Sequence, residues 1–196
     1  MTQLCFGGSF NPLHIGHLLV ARSVAESRNF QQVLLIPSAQ PPHKAITYEL
    51  AKSCHRLGMC QAVSHADPLF EVEPIELART GPSYTIDTAR EFARRGWGRV
   101  SWLIGADMLR ILPKWHKPDE LLREVDFVIA RRPGSVIDWD ALPAKFRVLR
   151  ANVVDAPLID ISATEIRQRV RAGRPIRYLV PAEVEQYIRE NHLYGA

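Results

Sequence analysis

Several things are missing from this chain, and each absence excludes a class of function. No G-x-x-x-x-G-K-[ST] segment is present, so the chain is not a P-loop protein. No G-x-G-x-x-G follows the first apolar run, which argues against a standard dinucleotide oxidoreductase. Cysteine is scarce: Cys5, Cys54 and Cys60 are an odd number without a C-x-x-C, so neither a disulfide framework nor a structural zinc site is supported. No basic-then-apolar leader precedes the first strand, and no apolar run approaches the length that spans a bilayer. A cytoplasmic protein without a membrane partner is expected. A basic motif interleaved with aromatics is also missing, which argues against a nucleic-acid partner.

What remains is ordinary for a globular protein. The 196 residues are 46% hydrophobic and 23% charged, enough for one domain (1–196) with a sizeable core. The net charge of +4 suits anionic substrates without identifying them. Arg167, Arg169, Arg171, Arg174 and Arg177 crowd the end of the chain, most of them expected on a solvated helix face.

Strand and helix patterns alternate. Leu4 to Phe6, Val33 to Pro37, Leu69 to Val72, Val100 to Gly105, Asp126 to Ala130 and Asn152 to Val154 read as strands, several with the continuous apolar run of a buried parallel strand. Helices are expected over Glu49–Ser64, Thr85–Arg95 (stopped by Gly96), the end at Leu121–Glu124, Ser162–Ala172 and Pro181–Asn191. Pro37 to Ile46, with three prolines, reads as a mobile loop, and Pro133 to Pro143 as an irregular connection. The alternation predicts an α/β fold: a Rossmann-like parallel sheet with helices on both faces, and ligands at the switch in strand order.

The chemistry concentrates where the first strand ends, at Gly7-Gly8-Ser9-Phe10-Asn11-Pro12-Leu13-His14-Ile15-Gly16-His17. Gly7 and Gly8 read as a turn without bulk. An apolar helical period begins after Pro12, and His14 and His17 fall in its first turn on one face. Gly16 removes a side chain where a phosphate would approach. Bare turn, helix N-terminus and two imidazole donors together describe a polyphosphate cradle. Zinc ligation by the histidine pair lacks Cys or Glu partners at ligand spacing. Far downstream, Ser162 and Thr164 look like cap and first-turn residues of a helix, and Glu165 completes a capping box with Ser162. Arg167, one turn on, offers a fork to the same anion. Lys44 is either a cation over phosphates or a plain surface lysine. Ser83 to Thr88 enters a helix whose N–H groups and Thr85 hydroxyl favour a carboxylate; Trp115 is either a stacking surface for a ring or a structural tryptophan.

These residues carry a resemblance. Gly7 to Pro12 with His14-Ile15-Gly16-His17 resembles the H-x-G-H nucleotidyltransferase superfamily, and Ile161-Ser162-Ala163-Thr164-Glu165-Ile166-Arg167 resembles its I-S-[SA]-T-x-I-R motif. Gly105-Ala106-Asp107, Ser83 to Thr88 and the segment around Trp115 extend the similarity over nearly the whole chain, and the pattern looks like the bacterial nicotinate-nucleotide adenylyltransferases. The resemblance implies transfer of the adenylyl group of ATP to nicotinate mononucleotide. It implies His14, His17 and Arg167 as catalytic residues, and Gly7, Gly8, Ser9, Phe10, Gly16, Gly105, Asp107, Ser162 and Thr164 around ATP. Lys44, Tyr84, Thr85 and Trp115 would then meet the second substrate, and the helices from about residue 162 would complete the phosphate site. Mg²⁺ would ride on the ATP phosphates, with no protein metal cage; a homo-oligomer is compatible with the pattern. Two residues depart from the family: Asn11 where Asp is common, and His116 where Tyr often follows the Trp. The rival readings are a sibling transferase for nicotinamide mononucleotide or pantetheine phosphate, a non-catalytic nucleotide sensor, an RNA-binding module, and the class I aminoacyl-tRNA synthetases. The last share H-x-G-H but are far longer and carry a K-M-S-K-S loop absent here.

Overall fold

The computed structural model describes residues 2–42 and 50–195. Six strands form the sheet: β1 (Gln3–Gly8), β2 (Gln32–Pro37), β3 (Phe70–Val72), β4 (Val100–Gly105), β5 (Val125–Arg131) and β6 (Val153–Asp155). Their order is β3-β2-β1-β4-β5-β6. Pairing is parallel along β1–β4–β5–β6, with Cys5 opposite Trp102 and Trp102 opposite Phe127. The order reverses between β1 and β4, as in doubly wound sheets, and right-handed crossovers then put helices on both faces. Those helices are α1 (Ile15–Ser27), α2 (Ser53–Ala66), α3 (Thr85–Arg94), α4 (Pro118–Glu124), α5 (Ala163–Arg171) and α6 (Ala182–Glu190).

The chain divides into two compact units. The first comprises Met1–Gly7, Val20–Val33 and Tyr84–Leu158; the second comprises Gly8–Leu19, Leu34–Ser83 and Ile159–Ala196. In the first, Trp102 and Leu103 of β4, Phe127 and Ile129 of β5 and Phe92 of α3 are buried. Arg90 of α3 grips Glu124 of α4 through two hydrogen bonds, of 2.9 and 2.7 Å, and also pairs with Glu120. In the second, Phe10, Leu13, Met59, Ile166, Val184 and Ile188 are buried, and Gly58 of α2 makes room for the Tyr187 ring of α6.

Two sequence expectations fail locally, for identifiable reasons. Gly7 and Gly8 are not a turn; they are the last residues of β1. Their lack of a side chain serves packing. A Cβ on Gly7 would fall 2.7 Å from the Trp102 ring, and one on Gly8 would fall 2.9 Å from the Phe10 ring. The second helix begins at Ser53 rather than near Glu49. Ala51 is kept out of it because its N–H binds the Asn11 carboxamide and its carbonyl accepts from Arg56. Short 3-10 segments at Ala106–Arg110 and Ala144–Asn152 were not expected from the sequence.

Candidate active site

The loop leaving β1 is fixed by side chains from distant parts of the second unit. Arg56 is 1% exposed and spends its whole guanidinium on carbonyl oxygens. Nη1 donates to Ser9 at 3.0 Å and Ser38 at 2.6 Å, Nε to Ala51 at 3.0 Å, and Nη2 to Ala39 at 3.3 Å. Burial lowers its pKa below the ordinary arginine value. Asn11 is a second anchor: its Oδ1 accepts from the Ala51 N–H at 3.1 Å and the Tyr194 hydroxyl at 2.8 Å. The Asn11 carbonyl accepts from Arg167 Nη1 at 2.9 Å. Ser38 adds a bond from its hydroxyl to the Gly8 carbonyl, and Ser83 is laced to residues 39 and 40 through its hydroxyl and its N–H.

Phe10 has φ of +44°, a left-handed conformation uncommon for a bulky residue, and its side chain is buried. The ring meets Gly8 and stands edge-on to His17 with centroids 5.5 Å apart. Phe10 can therefore face a nucleotide only through its backbone.

His14 lies one residue before α1, not inside its first turn, and its carbonyl accepts from the N–H groups of His17 and Leu18. The two imidazoles stack with centroids 3.6 Å apart. The backbone N–H of His14 points at Nδ1 of His17, at 3.3 Å. That geometry makes Nδ1 an acceptor, so the neutral His17 ring carries its proton on Nε2. His14 is 6% exposed, and burial pushes its pKa down to about 4. It is neutral at pH 7. Among the described residues nothing hydrogen-bonds its Nδ1. Gly16 is where the His14 ring folds back: a Cβ there would sit 3.1 Å from that Nδ1. The helix end is also less open than the sequence suggests, because the Ile15 N–H is taken by the Leu179 carbonyl.

At the start of α5, Ser162 is the cap and its hydroxyl accepts from the Glu165 N–H at 3.1 Å. Thr164 is exposed and accepts from Arg167 Nη2 at 3.4 Å. The second unit thus gathers Gly8, Ser9, His14, Gly16, His17 and Arg167 around one loop and its neighbours. Lys44 lies outside the described residues.

The first unit holds the other candidates: Gly7, in the strand against Trp102, and those that follow. Asp107 is exposed within the first turn of a 3-10 segment and folds over Gly105, leaving no room for a Cβ there; Gly105, not Asp107, is the cap. Tyr84 precedes α3 and stacks on His116, with centroids 4.2 Å apart and planes 20° apart. His116 therefore keeps an aromatic ring beside Trp115. Trp115 is half-buried and meets Phe127 edge-on at 6.3 Å. Among the described residues no side chain caps the N-terminus of α3, where Thr85 is the first helical residue. Among the described residues no three His, Cys, Asp or Glu gather as metal ligands.

Sequence reading missed Arg56, the anchoring role of Asn11, and Tyr194. One signal for Arg56 existed. It occupies the first position of the buried stripe Arg56, Met59, Cys60, Val63, where an apolar residue belongs.

Comparison with known proteins gives concordant results. The cytidylyltransferase-like family matches residues 5–169. A Bacillus pumilus protein named probable nicotinate-nucleotide adenylyltransferase is 41% identical over 96% of each chain. The Bacillus subtilis protein named nicotinate-nucleotide adenylyltransferase is 37% identical over 96% of each. A Plasmodium falciparum nicotinic acid mononucleotide adenylyltransferase complexed with NaAD superposes with a TM-score of 0.77, covering 99% of this chain and 98% of that one. At 18% identity this last likeness speaks for the fold alone.

Proposed function

Because this chain belongs to the cytidylyltransferase-like family, and within it to the nicotinate-nucleotide adenylyltransferases, we infer that it makes nicotinate adenine dinucleotide and pyrophosphate from ATP and nicotinate mononucleotide, a step of NAD synthesis. The nucleophile is the mononucleotide phosphate, already ionised at pH 7, so no general base is needed. One of its oxygens forms a bond to the α-phosphorus of ATP. The bond from that phosphorus to the bridging oxygen breaks, and pyrophosphate leaves with the electron pair. The protein's work is alignment and stabilisation of charge on the transferring group.

The observation that carries the assignment of roles is the neutral, stacked histidine pair. Its donor tautomer at His17 is set by the backbone, on the same loop that receives Arg167. His17 Nε2–H donates to an α-phosphate oxygen as charge builds there. His14, buried and neutral, supports that ring and offers its outer nitrogen. Arg167 faces the leaving phosphates, with Thr164 holding its fork. Gly8, Ser9 and Gly16 present backbone to ATP, and Ser162 acts by capping α5. Gly105 and Asp107 take the nucleoside, the exposed carboxylate accepting from ribose hydroxyls. Thr85 and the uncapped end of α3 take the nicotinate carboxylate, with Trp115 and the Tyr84–His116 stack against the pyridine. Lys44 is assigned to the substrate phosphates by its position in the sequence. Mg²⁺, which this class of enzyme generally uses, would be held mainly through the ATP phosphates and water. The chain acts as one catalytic domain.

Steady-state pyrophosphate release with ATP and Mg²⁺ tests the reading. Nicotinate mononucleotide should be turned over far faster than nicotinamide mononucleotide. Equal rates would move the protein to a sibling substrate; no release with either would remove the activity.

A further inference from the structure

Asn11 joins three distant segments. Its carboxamide oxygen has two lone pairs, and they meet the Ala51 N–H, just before α2, and the Tyr194 hydroxyl, near the end of the chain. Its carbonyl receives Arg167 from α5. We propose that Tyr194 is a positioning residue for adenylyl transfer: its hydroxyl, bonded to the Asn11 carboxamide, fixes the backbone oxygen that orients Arg167. The proposal rests on the function inferred above.

The tail is shaped for this bond. His192 and Tyr194 have φ of +49° and +60°, left-handed values that bulky residues rarely adopt. Such backbone persists only where its surroundings hold it, and here the result is a phenol aimed at a buried amide. Asn11 is 7% exposed, so water is a poor substitute for the hydroxyl if it is removed. Burial also raises the Tyr194 pKa well above the ordinary tyrosine value, which keeps the group an O–H donor at any working pH. Covering apolar surface would need only the ring. A bond to the carboxamide of the residue that also carries Arg167 supplies orientation in addition.

Tyr194→Phe separates the two, since it keeps the ring and deletes one oxygen. In the full chain, with ATP, Mg²⁺ and nicotinate mononucleotide, kcat should fall about tenfold. KM for the mononucleotide should stay within about twofold, because the disturbed group acts on the charge of reaction rather than on the pyridine. Melting temperature should fall by only a few degrees, because the Asn11 oxygen keeps its bond from the Ala51 N–H. The same substitution in an Arg167→Lys background should cost less than in the wild type, because both changes damage one linkage. A wild-type kcat in Tyr194→Phe overturns the proposal. So does a loss carried wholly by KM, one that follows the melting temperature, or one additive with Arg167→Lys. Absence of pyrophosphate release from the wild type would remove the function and this inference together, a result visible before any variant is made.

Discussion

The loop after β1 and the entrance to α3 are both helix starts that we propose meet an anion, yet they are built in different ways. The first is braced by buried polar bonds. Arg56 ties four carbonyls, Asn11 holds Ala51, Tyr194 and Arg167, and His14 fixes the tautomer of His17. The second has the Tyr84–His116 ring stack and the bonds of Ser83 to residues 39 and 40, and among the described residues no side chain caps it. The contrast fits the chemistry proposed for each. A phosphorus passing through in-line displacement rewards donors fixed within a fraction of an ångström, because misplacement is felt in the rate. A carboxylate that only has to be recognised is served by an open helix end and a flat aromatic surface.

The braced region should therefore lose far more on a single substitution. His17→Ala should lower kcat by roughly 10²–10³ while the protein still folds, since one preorganised donor to developing charge is gone. Turnover and circular dichroism of the purified variant check this; near wild-type kcat in a folded variant would place His17 outside the chemistry. Arg56→Met keeps the buried stripe apolar but strands carbonyls of Ser9, Ser38, Ala39 and Ala51. Stability should fall by about 3 kcal/mol or more, read from urea unfolding. A loss below about 1 kcal/mol would show that the loop is braced by something else.

The braced region also carries a pH signature. His14 has a pKa near 6.5 in the unfolded chain and about 4 in the folded one. Between those values the unfolded state binds more protons, so stability rises with pH across the window. The contribution is present in full above pH 6.5 and is lost as pH falls through about 4. The span corresponds to about 3 kcal/mol at 1.36 kcal/mol per unit. His14→Asn should flatten the unfolding free energy between pH 7 and pH 4 by that amount relative to wild type. An unchanged slope would mean that the imidazole is hydrated in solution.

How far all this was legible in the sequence depended on the range of the interaction. Strand and helix placement came through because continuous apolar runs and a 3.6-residue period are local properties of buried strands and amphipathic helices. The histidine pair and the Ser162 cap were equally local. What failed was set across long separations. Gly7 and Gly8 suggested a turn because glycine pairs usually make one, while the demand on Gly7 comes from the Trp102 ring. The α2 start moved because Ala51 answers to Asn11. The depressed pKa of His14 depends on the fold that buries it and cannot be read from H-x-G-H spacing. Arg56 was readable in principle, as a charge in an apolar stripe, but its four carbonyl partners were not.

The smallest expected effect tests the open side of the comparison. If the α3 entrance selects the acid by its donors, the Thr85 hydroxyl contributes about one hydrogen bond to a carboxylate, on the order of 1 kcal/mol or roughly fivefold. Thr85→Ala should narrow the ratio of kcat/KM for nicotinate over nicotinamide mononucleotide by that factor and leave the rate with saturating acid nearly unchanged. The backbone N–H groups remain, so a preference for the acid should survive. Trp115→Ala should weaken both mononucleotides alike, because a ring face does not distinguish a carboxylate from an amide. Among the described residues no side chain, Thr85 included, caps α3. A fall in melting temperature with an unchanged ratio would reverse that statement and make Thr85 a structural residue. A collapse of the ratio to unity would go the other way: acid recognition would rest on one hydroxyl, and the helix end would be no anion site at all.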